Sequence, residues 1–434
     1  MKRFLGMLTR FLFLAGILSV LGTQVFADTL VLGLPKYVQN RKMILDQLDG
    51  AKSYIWIVDE AEILNEIGIT QLYKNIGFVT VNHLLEEEVR AAIEGKNIDK
   101  IVSFSDRAVF LAAQLRLAMK LTGGNTPTVE QAVTCKWETR TKLSEQGLSK
   151  YGTKKTSLGN LKEDAKDLPF PYIVKPTNLT ASLCVELIHS EEDLDRYIKR
   201  CLENKIFRNA KKIFGRESEL VVEEYIDGEE YSVDGVVIDD QVHFFGVCEK
   251  HTSGQPYFVE LGHDFYPNHP MKAEIYAYIE NVLNCLGMRT CPFHIEIKNS
   301  SRGWEVIEVH SRFAGHMIME LVKNATGIQA FQTYIDNLRS PDGMKTPSLN
   351  NNSVFSLRML AVGAGTVKKL EIDPELLLEK RVVSHHIDFR VGDRVDNILP
   401  LNYVAYVIFS SPDSSSALEF HRRVLDCTVS EISQ

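Results

Sequence analysis

The sequence predicts a mixed architecture, α/β at the start and α+β afterwards, with a Rossmann-like N-terminal domain, a larger central domain and a small C-terminal α+β module. Three observations carry this. At 434 residues the chain is longer than one ordinary hydrophobic core supports. Short apolar strands alternate with helices over the first third, the pattern of a doubly wound domain. Beyond it, strands follow one another in pairs around turn residues.

The apolar run from Thr29 to Gly33 reads as a buried parallel strand. A helix follows over 38–48, then strands over 54–58 and 100–104. Ser105 or Asp106 is placed to cap an amphipathic helix over 107–121, which Gly123 and Gly124 stop. In the middle, 171–175 and 185–188 read as paired strands, and Ser190 opens a capping box for a helix ending near Leu202. Residues 220–225 and 231–238 alternate around Asp227-Gly228 and read as a hairpin. Asp239-Asp240 turns the chain into 242–247, and 293–298 pairs with 304–309 across 299–303. Short strands and a helix near 415–425 complete the C-terminal part. The expected boundaries are 1–27 for a leader, 28–133 for the Rossmann-like domain, 134–340 for the central domain and 341–434 for the C-terminal module.

Composition narrows the function. The chain is 44% hydrophobic and 24% charged, with 57 acids against 49 bases and a net charge of −8. That balance argues against a nucleic-acid partner, which would want a basic face. Seven cysteines stand singly with no CxxC pair, which fits buried reduced thiols better than a disulfide framework or zinc site. Lys2, Arg3 and Arg10 precede an apolar stretch over 11–21, and Val25-Phe26-Ala27 has the look of a cleavage site. These are the parts of a secretory signal, in a stretch short for a membrane span.

Glu296 and Glu308 carry the chemistry. Each interrupts an otherwise apolar strand, and the two strands are joined by a turn. Two carboxylates brought onto one sheet face repel unless a cation lies between them. A hard divalent ion shared with nucleotide phosphates is the usual solution.

In chain order the sequence reads Lys136, then Ile173-Val-Lys-Pro176, then Val222-Glu-Glu-Tyr-Ile-Asp-Gly-Glu-Glu-Tyr-Ser232, then His294-Ile-Glu-Ile-Lys298, then Val306-Ile-Glu-Val-His-Ser-Arg-Phe-Ala-Gly315. This order resembles the ATP-grasp superfamily over nearly the whole chain after the leader. The segment from Glu249 to His263 resembles its amino-acid (dipeptide) ligase branch, the group with carnosine synthase. The resemblance implies an ATP-grasp fold with a lid over about 172–222, and ATP with Mg2+ (or Mn2+) as cofactors. It also implies roles. Lys136, Lys175 and Ser182 would contact phosphates, Glu223, Glu224, Tyr225 and Ile226 would form the hinge at the adenine edge, and Glu230 would bind the ribose. Glu296, Glu308 and His310 fall at the metal-ligand positions. Arg312 and Lys175 would be catalytic, steadying the transferring phosphoryl group, and Glu260 and His263 would face the substrate. The implied activity is ATP-dependent amide or peptide bond formation through an acyl phosphate, releasing ADP and phosphate.

Two departures from the family pattern stand out. The lid stretch 177–185 places Leu179, Ala181 and Cys184 where small glycines are usual. His310 stands where the pattern has asparagine, and imidazole suits Mn or Zn better than Mg. They support an alternative, a nucleotide-binding protein without turnover. A purine-biosynthesis or carboxylase-like enzyme is a second alternative. Expected partners are small-molecule carboxylates and amines, with a homodimer possible. ATP use and unpaired cysteines favour the cytoplasm over export or anchoring through 1–27.

Overall fold

The structure is a computed structural model that describes residues 27–65, 73–179, 183–209, 219–340, 353–396 and 401–433. The leader expected over 1–27 lies outside the described residues except at Ala27. No helix among the described residues is long and apolar enough to cross a membrane.

Four parallel strands open the chain, in the spatial order Ile76–Val81, Ile55–Glu60, Asp28–Leu32, Ile98–Val102. Leu30, Val31, Leu32, Ile57, Val58 and Ile101 are fully buried, as strands covered on both faces require. Gly33 ends the first strand at φ +68, and a Cβ there would stand 2.8 Å from that of Ala108. Only glycine allows that packing. The helix Val38–Leu48 falls where its apolar periodicity places it.

The helix after the fourth strand differs from expectation. It runs over Val109–Ala118, and Ala108 at its N-cap makes no side-chain cap. Asp106, expected as a cap, turns away toward His310 and Arg312.

A four-stranded antiparallel sheet follows, ordered Thr153–Thr156, Leu220–Glu224, Tyr172–Pro176, Glu186–Ile188. It begins ahead of residue 172, where the lid was expected to start. The helix Glu191–Glu203 buries Leu194, Tyr197 and Cys201 against it. Its first turn is capped as expected, with Ser190 Oγ accepting from the Asp193 amide at 3.2 Å.

The largest element is an eight-stranded antiparallel sheet. Its order is Gly303–His310, Cys291–Ser300, Glu229–Ile238, Gln241–Thr252, Glu260–Tyr266, Val354–Val362, Asn402–Ser411, Val382–Ile387. The C-terminal strands therefore extend the central sheet, while Gly365–Ile372, Arg394–Val395 and Thr428–Ser433 form a small sheet of their own. The helix Ser414–Asp426, capped by Asp413, packs Ala417, Phe420 and Val424 against the assembly.

One expected hairpin is corrected. The strands flanking Asp227-Gly228 belong to different sheets, Leu220–Glu224 to the four-stranded antiparallel one and Glu229–Ile238 to the eight-stranded one. Gly228 adopts φ +92, and a Cβ there would stand 2.0 Å from the Asn299 carbonyl oxygen. The Asp-Gly pair is a passage between two sheets rather than a turn within one.

Candidate active site

Glu296 and Glu308 are register partners in adjacent antiparallel strands. Directly opposed residues in such a pair project from the same face. The period of two brings further polar side chains to that face: His294 and Lys298 beside Glu296, His310 beside Glu308, and Lys250 on Gln241–Thr252.

Lys250 sits at the centre. Its ammonium lies 2.8 Å from Glu230, 2.5 Å from Glu260 and 3.0 Å from Glu296. Burial alone would depress its pKa, but the three carboxylates override that and raise it well above the ordinary lysine value. Glu296 is driven the other way: burial favours its neutral form, yet Lys250 and His294 keep it ionised. His294 lies 3.0 Å from Asp234 and 3.4 Å from Glu296. Against the cost of burial, these acids raise its pKa to about 9.

The outer carboxylate has its own cations. Glu308 Oε1 lies 2.8 Å from Lys136 and 3.3 Å from His310. Lys136 also donates to the Leu179 carbonyl at 2.6 Å, which ties this corner to the lid. His310 meets Asp106 at 3.0 Å, and Arg312 meets the other oxygen of Asp106 at 2.6 Å. Below them Glu223 pairs with Lys175 and, at 3.3 Å, with Arg140, which also pairs with Glu305. Burial lowers the Lys175 pKa, with Glu223 opposing.

Several expected site residues thus converge: Lys136, Lys175, Glu230, Glu296, Glu308, His310 and Arg312. In the hinge segment, Glu223 is buried among cations and the Ile226 carbonyl accepts from Lys298 at 3.2 Å. Tyr225 stacks on Phe258 with centroids 6.2 Å apart, and Lys298 stands over both rings. Glu224 does not join them; its side chain turns outward to Arg302 at 2.7 Å. Ser182 lies outside the described residues. Glu260 touches Lys250 and meets His316 at 2.7 Å and the buried His263 at 3.6 Å. Tyr403, from the C-terminal part, packs edge-on against His316.

The sequence marks Asp106 only as a helix cap and Lys250 as a surface lysine that could reach a phosphate, and it gives no role to His294 or His316. Lys250 reads as a surface lysine, yet its side chain is 2% exposed. Its position two residues after buried Cys248, within a strand, was the available signal. His294 stands two before Glu296 and so shares its face. Asp106 carries no local mark, because its partners lie about two hundred positions away.

The carboxylates accept a cation in the structure itself. The Lys250 ammonium is coordinated by three of them, so the donor set suits positive charge, and oxygen donors suit a hard ion.

Comparison with known proteins gives a concordant result. Residues 168–320 match the model of the ATP-grasp domain. An L-amino acid ligase from Bacillus licheniformis superposes with a TM-score of 0.78 at 19% identity, covering 95% of this chain and all of that one. The fold is ATP-grasp. The biotin carboxylase domain of Hydrogenobacter thermophilus 2-oxoglutarate carboxylase, solved with MgADP and bicarbonate, shares the ATP-grasp fold at a TM-score of 0.65 and 15% identity, covering 95% and 92% of the two chains. By sequence, the chain is similar to alanine–anticapsin ligase of Bacillus amyloliquefaciens, 25% identical over 268 residues, or 58% of this chain. The match spans 56% of that relative's length. The family match and the superpositions agree on the ATP-grasp fold.

Proposed function

We propose that this protein is an ATP-dependent carboxylate–amine ligase that joins amino acids or closely related metabolites. The carrying observation is the register pairing of Glu296 with Glu308 on the face where Lys136, Lys250 and Arg312 converge. In this reading the substrate carboxylate attacks the γ-phosphorus of ATP, ADP leaves, and the amine then displaces phosphate from the acyl phosphate.

Glu296 and Glu308, with His310 beside them, would hold Mg2+ or Mn2+, which would offset the phosphate charge when bound. Lys136 and Lys175 supply fixed positive charge for the phosphates. Arg312, held by Asp106, points its guanidinium where charge builds on the transferring group. Glu223 to Ile226 and the Tyr225–Phe258 pair border the adenine position, and Glu230 lies in reach of the ribose. Glu260, backed by His263 and His316, offers an anionic end for a substrate ammonium. The four-stranded antiparallel sheet, tied to Glu308 through Lys136 and the Leu179 carbonyl, is suited to cover the acyl phosphate and exclude water.

The test is ADP release by the full chain with ATP, Mg2+ or Mn2+ and pooled amino acids, with mass spectrometry of the products. Amino-acid-dependent ADP release with an amide product of matching mass is expected. ADP release stimulated by bicarbonate alone would favour carboxylase-like chemistry. Nucleotide-induced thermal stabilisation with no turnover in any pool would favour binding without catalysis.

A further inference from the structure

A second cluster lies on the opposite face of the central sheet. His251 alternates with Lys250 and Asp264 with His263, and Lys250 and His263 are register partners facing the ATP side. With a period of two, His251 and Asp264 point the other way. There they meet His421, which the helix Ser414–Asp426 presents on its buried face beside Ala417, Phe420 and Val424. We propose that His251, Asp264 and His421 form a binding site for a divalent transition-metal ion of the zinc class.

The geometry supports this in four ways. His251 Nε2 lies 2.8 Å from one oxygen of Asp264, and His421 Nε2 lies 2.9 Å from the other. The three donor atoms all fall within 4.8 Å of one another. Spreading them by a few tenths of an ångström admits bonds of ~2.0–2.2 Å, the range for zinc with nitrogen and carboxylate oxygen. Second, the donor chemistry is selective: two imidazoles and one carboxylate suit zinc and its neighbours, not magnesium. Third, the carboxylate is supported from behind, since Ser356 Oγ donates to Asp264 at 2.5 Å. Fourth, Gly262 leaves the space. A Cβ there would stand 3.2 Å from His421 Cε1 and 3.6 Å from His251 Cδ2, as well as 2.7 Å from the Leu357 carbonyl oxygen.

Charge points the same way. Asp264 is buried; within ion-pair distance among the described residues it meets the two imidazoles, while the Arg358 guanidinium acts on it through charge from farther off. A buried carboxylate calls for positive charge beside it. His251 is 29% exposed, which opens a route for the ion and leaves a fourth position to water. Bound there, the ion fastens the C-terminal helix to the two strands that carry Lys250 and Glu260 on their other face.

The test uses the full, untagged chain, stripped with chelator and titrated with Zn2+, and separately with Co2+ as a spectroscopic probe. One equivalent of zinc is expected at this site, with a rise in Tm, and a tetrahedral Co2+ absorption band. His251→Gln, at the half-buried position the fold tolerates best, should weaken binding by about tenfold or more, and His421→Ala should abolish it. Glu308→Gln and His316→Ala, which alter the ATP-side clusters, should leave the band in place. Failure of the wild type to bind zinc, or unchanged binding in His251→Gln, would overturn the proposal and leave the three residues as a hydrogen-bonded fastening.

Discussion

Asp106, from the loop after the last strand of the N-terminal sheet, pairs with Arg312 at 2.6 Å and with His310 at 3.0 Å. The segment after the fourth strand thereby sets the direction of two side chains on the face of the candidate site. Burial raises the cost of an ionised Asp106, but Arg312 and His310 outweigh it and hold its pKa well below the usual carboxylate range. In the proposed reaction it would be a positioning residue, acting through Arg312. Asp106→Asn should lower kcat for ADP formation by about 10- to 100-fold, the range for loss of a supporting partner. KM for ATP should move little. Steady-state kinetics with both parameters resolved checks the split; a change confined to KM would contradict the role.

Glu223 bridges Lys175 and Arg140 in a site buried from solvent. Arg140 keeps Glu305 if Glu223 is removed, but among the described residues no other acid pairs with Lys175. Breaking a buried pair in this way costs about 3 kcal/mol. Glu223→Ala should therefore lower the free energy of unfolding by that amount and move the denaturant midpoint downward in proportion; a midpoint equal to wild type would contradict this role for Glu223.

Glu130 gives a pH signature. It is buried beside the end of the strand Gly303–His310, accepting from Ser311 and, at 3.0 Å, from Asn125. Burial raises its pKa to about 7, against the lowering influence of Ser311, Arg116 and Asn125. Because the folded-state value exceeds the unfolded one, the native state binds the proton more tightly. The contribution is complete below the unfolded pKa of 4.5 and is lost as pH rises through about 7. The full swing is roughly 3 kcal/mol. Urea unfolding of Glu130→Gln between pH 5 and 7 should show a less negative dependence of stability on pH than wild type. Parallel curves would sink the assignment.

Much of this fold is legible in the chain, for identifiable reasons. Strands such as Asp28–Leu32 are continuous apolar runs, and Glu296 and Glu308 are conspicuous because each is a charge inside such a run. Ser190 and Asp413 mark helix starts through local hydrogen bonds. The errors arise where a local signal has a distant use. Asp227-Gly228 has turn chemistry, but Gly228 serves a close approach to the Asn299 backbone, and the strands it joins diverge. Asp106 has cap chemistry, but Arg312 and His310 compete for it more strongly than the neighbouring amides. Lys250 became recognisable only when three acids from three other strand segments were brought around it.

In the proposed function the facing acids Glu296 and Glu308 grip a divalent ion together with a nucleotide. Electron paramagnetic resonance of Mn2+ titrated into the full chain with ADP measures that grip directly. Nucleotide-dependent Mn2+ binding is expected in wild type and should be lost in Glu308→Gln and in Glu296→Gln, while His421→Ala retains it. Wild-type Mn2+ affinity in both carboxylate variants would contradict the proposal.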